Sequence, residues 1–321
     1  DKLLSVYFKN LIKTENEDDD VIHTISKELL TIKNLLTKNS DNLENLHNNV
    51  ISSNDALLSN LELYKSEQTN EVVFFKDDLK KELKSLFASP MGWIILALLM
   101  MAFGSYYLTG VNNYFEVMSG AIRPAERVGV TIFVGQTVYS IASFIMLFAV
   151  PLLTMRLISE ERRSQTLPFL FSAPISLTEI VLGKFVGLIV FLSILVLYIF
   201  VMLTTLNIWA DIDFGYLIAN SIGLWLLVAS FSALGIYFSS LTQQPIIAAI
   251  LSFISLFALM IMERFFASDP NHWFAYLSLM KHFQSFSRGL IDTSDLMYFF
   301  LFISTFLTLT IRRLDADRLR G

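Results

Sequence analysis

The stretch Met155-Arg-Leu-Ile-Ser-Glu-Glu-Arg-Arg-Ser-Gln-Thr-Leu-Pro-Phe-Leu-Phe-Ser-Ala-Pro-Ile-Ser176 separates two long apolar runs. On one side no charged residue occurs between Arg127 and Arg156, and on the other side residues 185–210 are uncharged. Each run is long enough to cross a bilayer as a helix, which takes about 20 residues. The stretch is therefore predicted to be a loop at a membrane surface that joins two spans.

The composition of the chain is that of a membrane protein. Of 321 residues, 54% are hydrophobic and only 17% are charged, which is too apolar for an ordinary soluble domain. The first 75 residues carry 7 Lys or Arg and 13 Asp or Glu, whereas the rest carry 17 and 16. The chain therefore consists of an acidic N-terminal part and a nearly neutral apolar part. It has no cysteine, which excludes disulfides and thiolate chemistry.

Apolar runs predict an all-α integral membrane protein with six spans, at about 92–110, 132–155, 180–207, 216–240, 245–264 and 294–311. Ser176 and Glu179 form an S-x-x-E capping box at the start of the third span. Spans four and five form a hairpin, because Ser239-Ser-Leu-Thr-Gln-Gln-Pro245 is the only polar interruption in that region. The segment between Phe265 and Thr293 is predicted to form interfacial or re-entrant helices.

The distribution of Lys and Arg predicts the orientation of the spans. Twelve of these residues flank the span ends on one side, which includes the loop 156–176 and both termini, and five flank the other side. The positive-inside rule then places both termini and this loop in the cytoplasm.

Two predicted helical segments precede the spans. Residues 1–71 form an acidic extension in which apolar residues recur every three or four positions from Ile22 to Tyr64. This spacing is typical of a coiled coil, or equally of a solvated helix that orders only against a partner. Residues 72–90 predict a basic amphipathic helix that lies in the headgroup layer and ends at Pro90. Its predicted membrane contacts are Phe75, Leu79, Lys80, Leu83, Lys84 and Phe87.

No catalytic or metal-binding motif is present in the sequence. The pair Gly183-Lys184 lacks the upstream glycine of a Walker A loop. The four histidines are scattered, and no serine lies in a nucleophile elbow. The sequence therefore predicts neither an enzyme nor a metal site, and nucleic acid is not an expected partner.

The loop has the composition of a mechanical coupling element. Its charged residues are followed by an apolar run, so that the charges can orient a partner while the apolar side chains fill a groove in it. The residues predicted to make this contact are Glu160, Glu161, Arg162, Arg163, Thr166, Leu167, Pro168 and Phe169.

Three parts of the chain resemble the permeases of ABC-2 type ABC transporters. They are the loop 155–176, the junction 241–253, and the segment 279–292 with its H-F-x-S-x-x-R-G-x-I-D pattern. The last pattern is especially similar to the gliding-motility and copper-processing type of ABC-2 permease, and its matching residues are His282, Phe283, Ser285, Arg288, Gly289 and Asp292. The loop departs from the family in having Gln165 where a glycine is usual and Pro168 where an acidic residue is usual.

The resemblance implies a permease subunit in a bacterial inner membrane, in which 72–90 is the elbow helix and 91–321 the six-span domain. Two permease subunits, either two copies of this chain or this chain and a different permease, would surround a central path. The coupling loop of each would bind a cytoplasmic ABC ATPase subunit. ATP and Mg²⁺ would bind that ATPase, and no cofactor would bind this chain. Residues 1–71 would be free to recruit an extra partner. The alternative is a membrane-anchored scaffold or sensor that recruits partners through residues 1–71 without transport.

Overall fold

A computed structural model of the protein describes residues 26–31, 84, 87–88, 90–119, 129–165, 176–265 and 276–319. The chain divides into two compact units, Asp1–Val72 and Val73–Gly321. In the first unit residues 26–31 are helical, and the rest of the predicted coiled coil lies outside the described residues.

The described part of the second unit consists of helices and their connections. They are α1 (Pro90–Met118), α2 (Val130–Thr154), α3 (Ser159–Arg163), α4 (Leu177–Thr204) with a 3-10 turn (Thr205–Ile208), α5 (Phe214–Leu241), α6 (Pro245–Phe265), α7 (Leu279–Ser287) and α8 (Thr293–Arg318). Six of them, α1, α2, α4, α5, α6 and α8, are long and apolar enough to cross a membrane. This confirms the predicted all-α, six-span class. One end of the bundle carries α3 and the opposite end carries α7; we call them the α3 end and the α7 end.

Local sequence signals determine where the long helices begin. The Ser176 hydroxyl accepts a hydrogen bond from the Glu179 N–H, and the Glu179 carboxylate accepts one from the Ser176 N–H. This is the predicted capping box, which satisfies two amide groups at the start of α4. Asp213 caps α5 with a single bond, in which its carboxylate accepts from the Tyr216 N–H at 3.0 Å. Prolines stand at the first positions of α1 and α6, where the missing N–H has no cost.

Two helices extend beyond the predicted spans. α1 continues from residue 110 to Met118, where Phe115 contacts Trp209 with ring centroids 6.1 Å apart. α8 continues past residue 311 to Arg318, although this last part is charged. Here the apolar span and the helix end at different residues, because ion pairs support the charged turns of α8 (described below).

α5 is the central helix of the bundle, and α2, α4, α6, α7 and α8 all pack against it. In its most apolar window 72% of the residues are buried, compared with 17% for α6 and 22% for α1 and α8. The outer helices carry exposed large apolar side chains such as Met101, Ile246 and Phe300. Such a surface is suited to a lipid environment.

Candidate functional site

The turn between α2 and α3 is tied to the centre of the bundle by one hydroxyl group. The Ser239 Oγ on α5 accepts hydrogen bonds from the N–H groups of Ile158 and Ser159, each at 3.1 Å, and donates one to the Met155 carbonyl at 3.1 Å. A serine hydroxyl has one donor and two acceptor positions, so all of them are used. The turn is therefore held at a defined position at the α3 end.

Apolar contacts also hold the turn between α2 and α3 against the bundle. Leu157 and Ile158 are buried in the main core, and Met155 packs with Ala248 and Ala249 of α6. The turn that precedes α3 is therefore packed against the bundle, although α3 itself is only five residues long.

Two of the four charged residues of α3 form ion pairs inside the chain. The Lys184 Nζ on α4 lies 2.7 Å from the Glu161 Oε1, and the Lys184 side chain is only 5% exposed. Arg162 pairs with Asp317 near the end of α8. These contacts connect α3 to the third and the last span.

The other two charged residues of α3, Glu160 and Arg163, are exposed. The acidic residues lie in the first turn of α3 and the basic residues in the last, the order that the helix dipole favours. Of the residues predicted to couple to an ATPase, Glu160 and Arg163 are thus available at the surface, whereas Glu161 and Arg162 contact other helices. Thr166, Leu167, Pro168 and Phe169 lie outside the described residues.

Gln165 follows α3 in the left-handed backbone region, with φ of 57°. It is the second residue after the helix, beyond the C-cap Ser164, a position where glycine is favoured because it has no Cβ. This geometry explains why the resemblance led us to expect a glycine there.

Two residues of the predicted elbow helix are described with their surroundings. Lys84 is exposed, and Phe87 is half-buried. The Phe87 ring packs edge-on against Phe191 of α4 at 5.4 Å, and its carbonyl accepts a hydrogen bond from the Trp93 indole at 2.6 Å. Phe87 therefore contacts the bundle itself. Phe75, Leu79, Lys80 and Leu83 lie outside the described residues.

At the α7 end, the predicted family motif joins α7 to α8. The His282 Nδ1 lies 2.6 Å from the Asp295 Oδ1 of α8, and its ring stacks on Tyr298 with centroids 3.8 Å apart. The His282 Nε2 lies 3.0 Å from the Tyr276 carbonyl oxygen, which can only accept, so that Nε2 carries a proton in this arrangement. Phe283 is fully buried. These residues attach the short helix to the last span.

The rest of this motif builds the connection between the two helices. The Leu290 N–H donates to the Ser285 carbonyl at 3.1 Å and the Gly289 N–H to the Phe286 carbonyl at 2.9 Å, the pattern of a Schellman cap. Gly289 has φ of 81°. Asp292 then caps α8 by accepting from the Ser294 N–H at 2.9 Å. Hydrogen bonds from the backbone and the side chain of Ser294 lower the pKa of the Asp292 carboxyl. Arg288 is exposed.

Other sites for small ligands are limited. Within the described ranges, no group of three or more His, Cys, Asp or Glu side chains converges as metal ligands would. An open, mostly apolar cleft of about 290 Å³ lies between α4 and α5, lined by Ser193, Val196, Leu197, Phe200, Ser221, Ile222 and Trp225.

Reasoning from the sequence missed three residues of the α3 end. Lys184 was predicted only to be a cation near a span and part of a pair that lacks the Walker A pattern, Ser239 only to be part of a polar interruption, and Asp317 had no predicted role. The available signals were weak: a lysine inside the third apolar segment, and an acidic residue among the arginines that follow the last span.

Six long apolar helices, with a charged element at one end, define an integral membrane protein. The sequence profile of the ABC-2 family transporter proteins matches residues 79–318. The chain belongs to this family and is a multi-pass, ABC-2 type permease. A comparison with curated proteins gave no significant match.

Proposed function

We propose that the chain is the transmembrane subunit of an ABC transporter and that a separate cytoplasmic ABC ATPase subunit docks on α3. Family membership supports a transport role. The proposed docking site is supported by the different surroundings of the four charged residues of α3. Glu161 and Arg162 form ion pairs with α4 and α8. Glu160 and Arg163 are exposed.

This division suits mechanical coupling. A coupling element needs a rigid attachment to the spans and a free face for its partner, because a loosely attached element would absorb the motion that it receives. In this proposal Glu160 and Arg163 orient the ATPase, Leu167, Pro168 and Phe169 supply the apolar part of the contact, and Thr166 belongs to the same contact surface. ATP and Mg²⁺ bind the ATPase subunit, and this chain supplies no cofactor site.

The orientation of the subunit follows from its charges. Both termini and α3 face the cytoplasm of a bacterial cell, and the α7 end lies outside the inner membrane. Residues 72–90 lie along the cytoplasmic surface and contact lipid. Two permease subunits, either two copies of this chain or this chain and a different permease, surround a central path. The assembly exports a substrate or transmits force across the membrane. Residues 1–71 are available to an extra partner.

The test is the amount of ATPase that co-purifies with the detergent-solubilised protein. An exposed charge contact contributes about 0.2–1 kcal/mol, so the loss of two such charges in E160A/R163A should lower the affinity about two- to thirtyfold. The matched control is D211A/R288A, which removes an exposed acidic and an exposed basic residue at the α7 end.

Three outcomes are informative. ATPase bound to the wild type and the control but lost from E160A/R163A supports the proposal. Equal loss from both variants, or no loss, contradicts the docking site. If no ATPase accompanies the wild type, the coupled-transport proposal fails and a scaffold that acts through residues 1–71 takes its place.

A further inference from the structure

The last seven residues of α8, which we call the α8 extension (residues 312–318), reach the coupling element. The extension ends next to α3, where the Asp317 carboxylate meets the Arg162 guanidinium across 155 positions of sequence. The side chains of Arg162 and Asp317 are only 11% and 20% exposed. This is a partly desolvated pair, in which the loss of one partner leaves the other charge uncompensated.

The two oxygens of the Asp317 carboxylate contact different arginines. Oδ2 faces Arg162, and Oδ1 lies 3.6 Å from the Arg313 Nη2 one turn earlier in the same extension. Arg313 therefore places a second positive charge beside the carboxylate from its own helix. These side chains form a specific contact between α3 and the α8 extension.

α3 is attached on two sides. Successive residues of an α-helix point about 100° apart, and the neighbours Glu161 and Arg162 accordingly reach different helices, α4 and α8. α2 and α4 are also joined to α3 through the chain itself. α8 is not next to α3 in the sequence, and the Arg162–Asp317 ion pair connects the two helices.

We infer that Asp317 is a positioning residue for coupling, which fixes α3 to the last span so that a displacement of α3 is passed to α8 as well as to α2 and α4. The inference rests on the proposed docking of an ATPase on α3. It assigns the α8 extension to the coupling machinery, and it assigns Arg162 to transmission rather than to contact with the ATPase.

The chain offers a direct test because it contains no cysteine. R162C/D317C removes the ion pair and adds the only two thiols, which a short bifunctional thiol reagent can then join. A reagent with a spacer is used because cysteine side chains are shorter than the arginine and the aspartate that they replace, and a direct disulfide needs a Cα separation of no more than about 7 Å. A covalent tether is preferable to exchanging the two charges, since an arginine at position 317 would face Arg313.

Two quantities are measured on the complex in lipid vesicles: the ATPase bound per permease and the rate of ATP hydrolysis. Without the tether, R162C/D317C should keep its ATPase while the hydrolysis rate falls about tenfold, within the usual range of coupling between sites. The tether should restore the rate. D315R is the matched control, because Asp315 is an exposed acidic residue of the same extension; it should behave as the wild type. Thermal stability of each variant excludes misfolding as the cause.

Several results would overturn the inference. They are an untethered double variant with the wild-type rate, a tethered one that stays slow, or loss of the bound ATPase together with the rate, which would mean that Arg162 contacts the ATPase directly. These are distinct from failure of the proposed function, in which the wild type itself binds no ATPase and the inference fails with it.

Discussion

Gly235 of α5 lies against Thr154 of α2 so closely that a Cβ atom at position 235 would be 2.2 Å from the Thr154 Oγ1. Thr154 is the last residue of α2, and its hydroxyl donates to the Val150 carbonyl at 3.0 Å. Gly235 and Ser239 are four residues apart and share one face of α5. This face therefore holds both the end of α2 and the turn that leads to α3.

Replacing Gly235 with alanine should force α2 away from α5. The added methyl group would also lie 2.8 Å from the Thr154 Cβ, so that rotation of the threonine side chain alone cannot relieve the clash. Overpacking of this kind costs about 1–3 kcal/mol, and the melting temperature of G235A in detergent should fall. The control is G129A, since no described atom lies within 4 Å of a Cβ at position 129; it should lose only the preference for glycine at the N-cap of α2 and melt above G235A. A wild-type melting temperature for G235A would contradict the close approach.

Removing the Ser239 hydroxyl should weaken the attachment of α3 to α5. In S239A the amide groups of Ile158 and Ser159 lose their acceptor, and each buried unsatisfied group costs about 1–3 kcal/mol. The neighbouring variant S240A is the control, because the buried Ser240 hydroxyl bonds only to the Tyr237 carbonyl of its own helix. We expect S239A to lower both the melting temperature and the ATP hydrolysis of the complex more than S240A. Equal effects would show that the bonds to the turn are unimportant.

The sequence predicted those features that depend on local pattern. Apolar runs revealed the six spans, and Ser176 with Glu179 revealed the start of α4. The attachment of α3 to the bundle depends instead on contacts between distant residues such as Ser239 and Met155, which are 84 positions apart. A run of four charges cannot show which faces of a five-residue helix are buried. For the same reason, the sequence could not separate Glu161 and Arg162 from the exposed Glu160 and Arg163.

Gln165 should be replaceable by glycine with a gain in stability. A residue with a Cβ in the left-handed region costs about 1 kcal/mol relative to glycine, and Gln165 is exposed with φ of 57°. Q165G should therefore raise the melting temperature slightly, whereas Q165V should lower it because a β-branched side chain is poorly tolerated there. A fall in stability for Q165G would show that the glutamine side chain makes a contact worth more than this strain.

The charge of Asp292 should stabilise α8 in a pH-dependent way. Hydrogen bonds from Ser294 lower its pKa from the ordinary value of 3.8. A carboxyl with a lowered folded-state pKa contributes stability above its ordinary pKa and loses it as the pH falls through the lowered value. D292N is the comparison, since asparagine also caps helices but carries no charge. The wild type should melt at a higher temperature than D292N at neutral pH, and the difference should shrink as the pH falls below 3.8, the ordinary pKa of the group. A difference that is independent of pH would exclude the charge as its cause.

The left-handed conformation of Gly289 should make this position of the family motif sensitive to any other residue. Its φ of 81° permits the Schellman cap that ends α7, and the conformation costs an alanine about 1–2 kcal/mol. A Cβ at this position would also lie 3.3 Å from the Tyr216 Cδ2 of α5. G289A should therefore destabilise the α7 end.

Comparison with G289N separates these two causes. Alanine and asparagine bring the same Cβ atom towards Tyr216, but asparagine tolerates the left-handed region better because its side chain can hydrogen-bond locally. If backbone strain dominates, G289N should melt between the wild type and G289A. If the contact with Tyr216 dominates, G289N should be at least as unstable as G289A, since its side chain is larger. Equal stability of all three proteins would mean that the glycine of this motif is required for something other than the turn that it forms between α7 and α8.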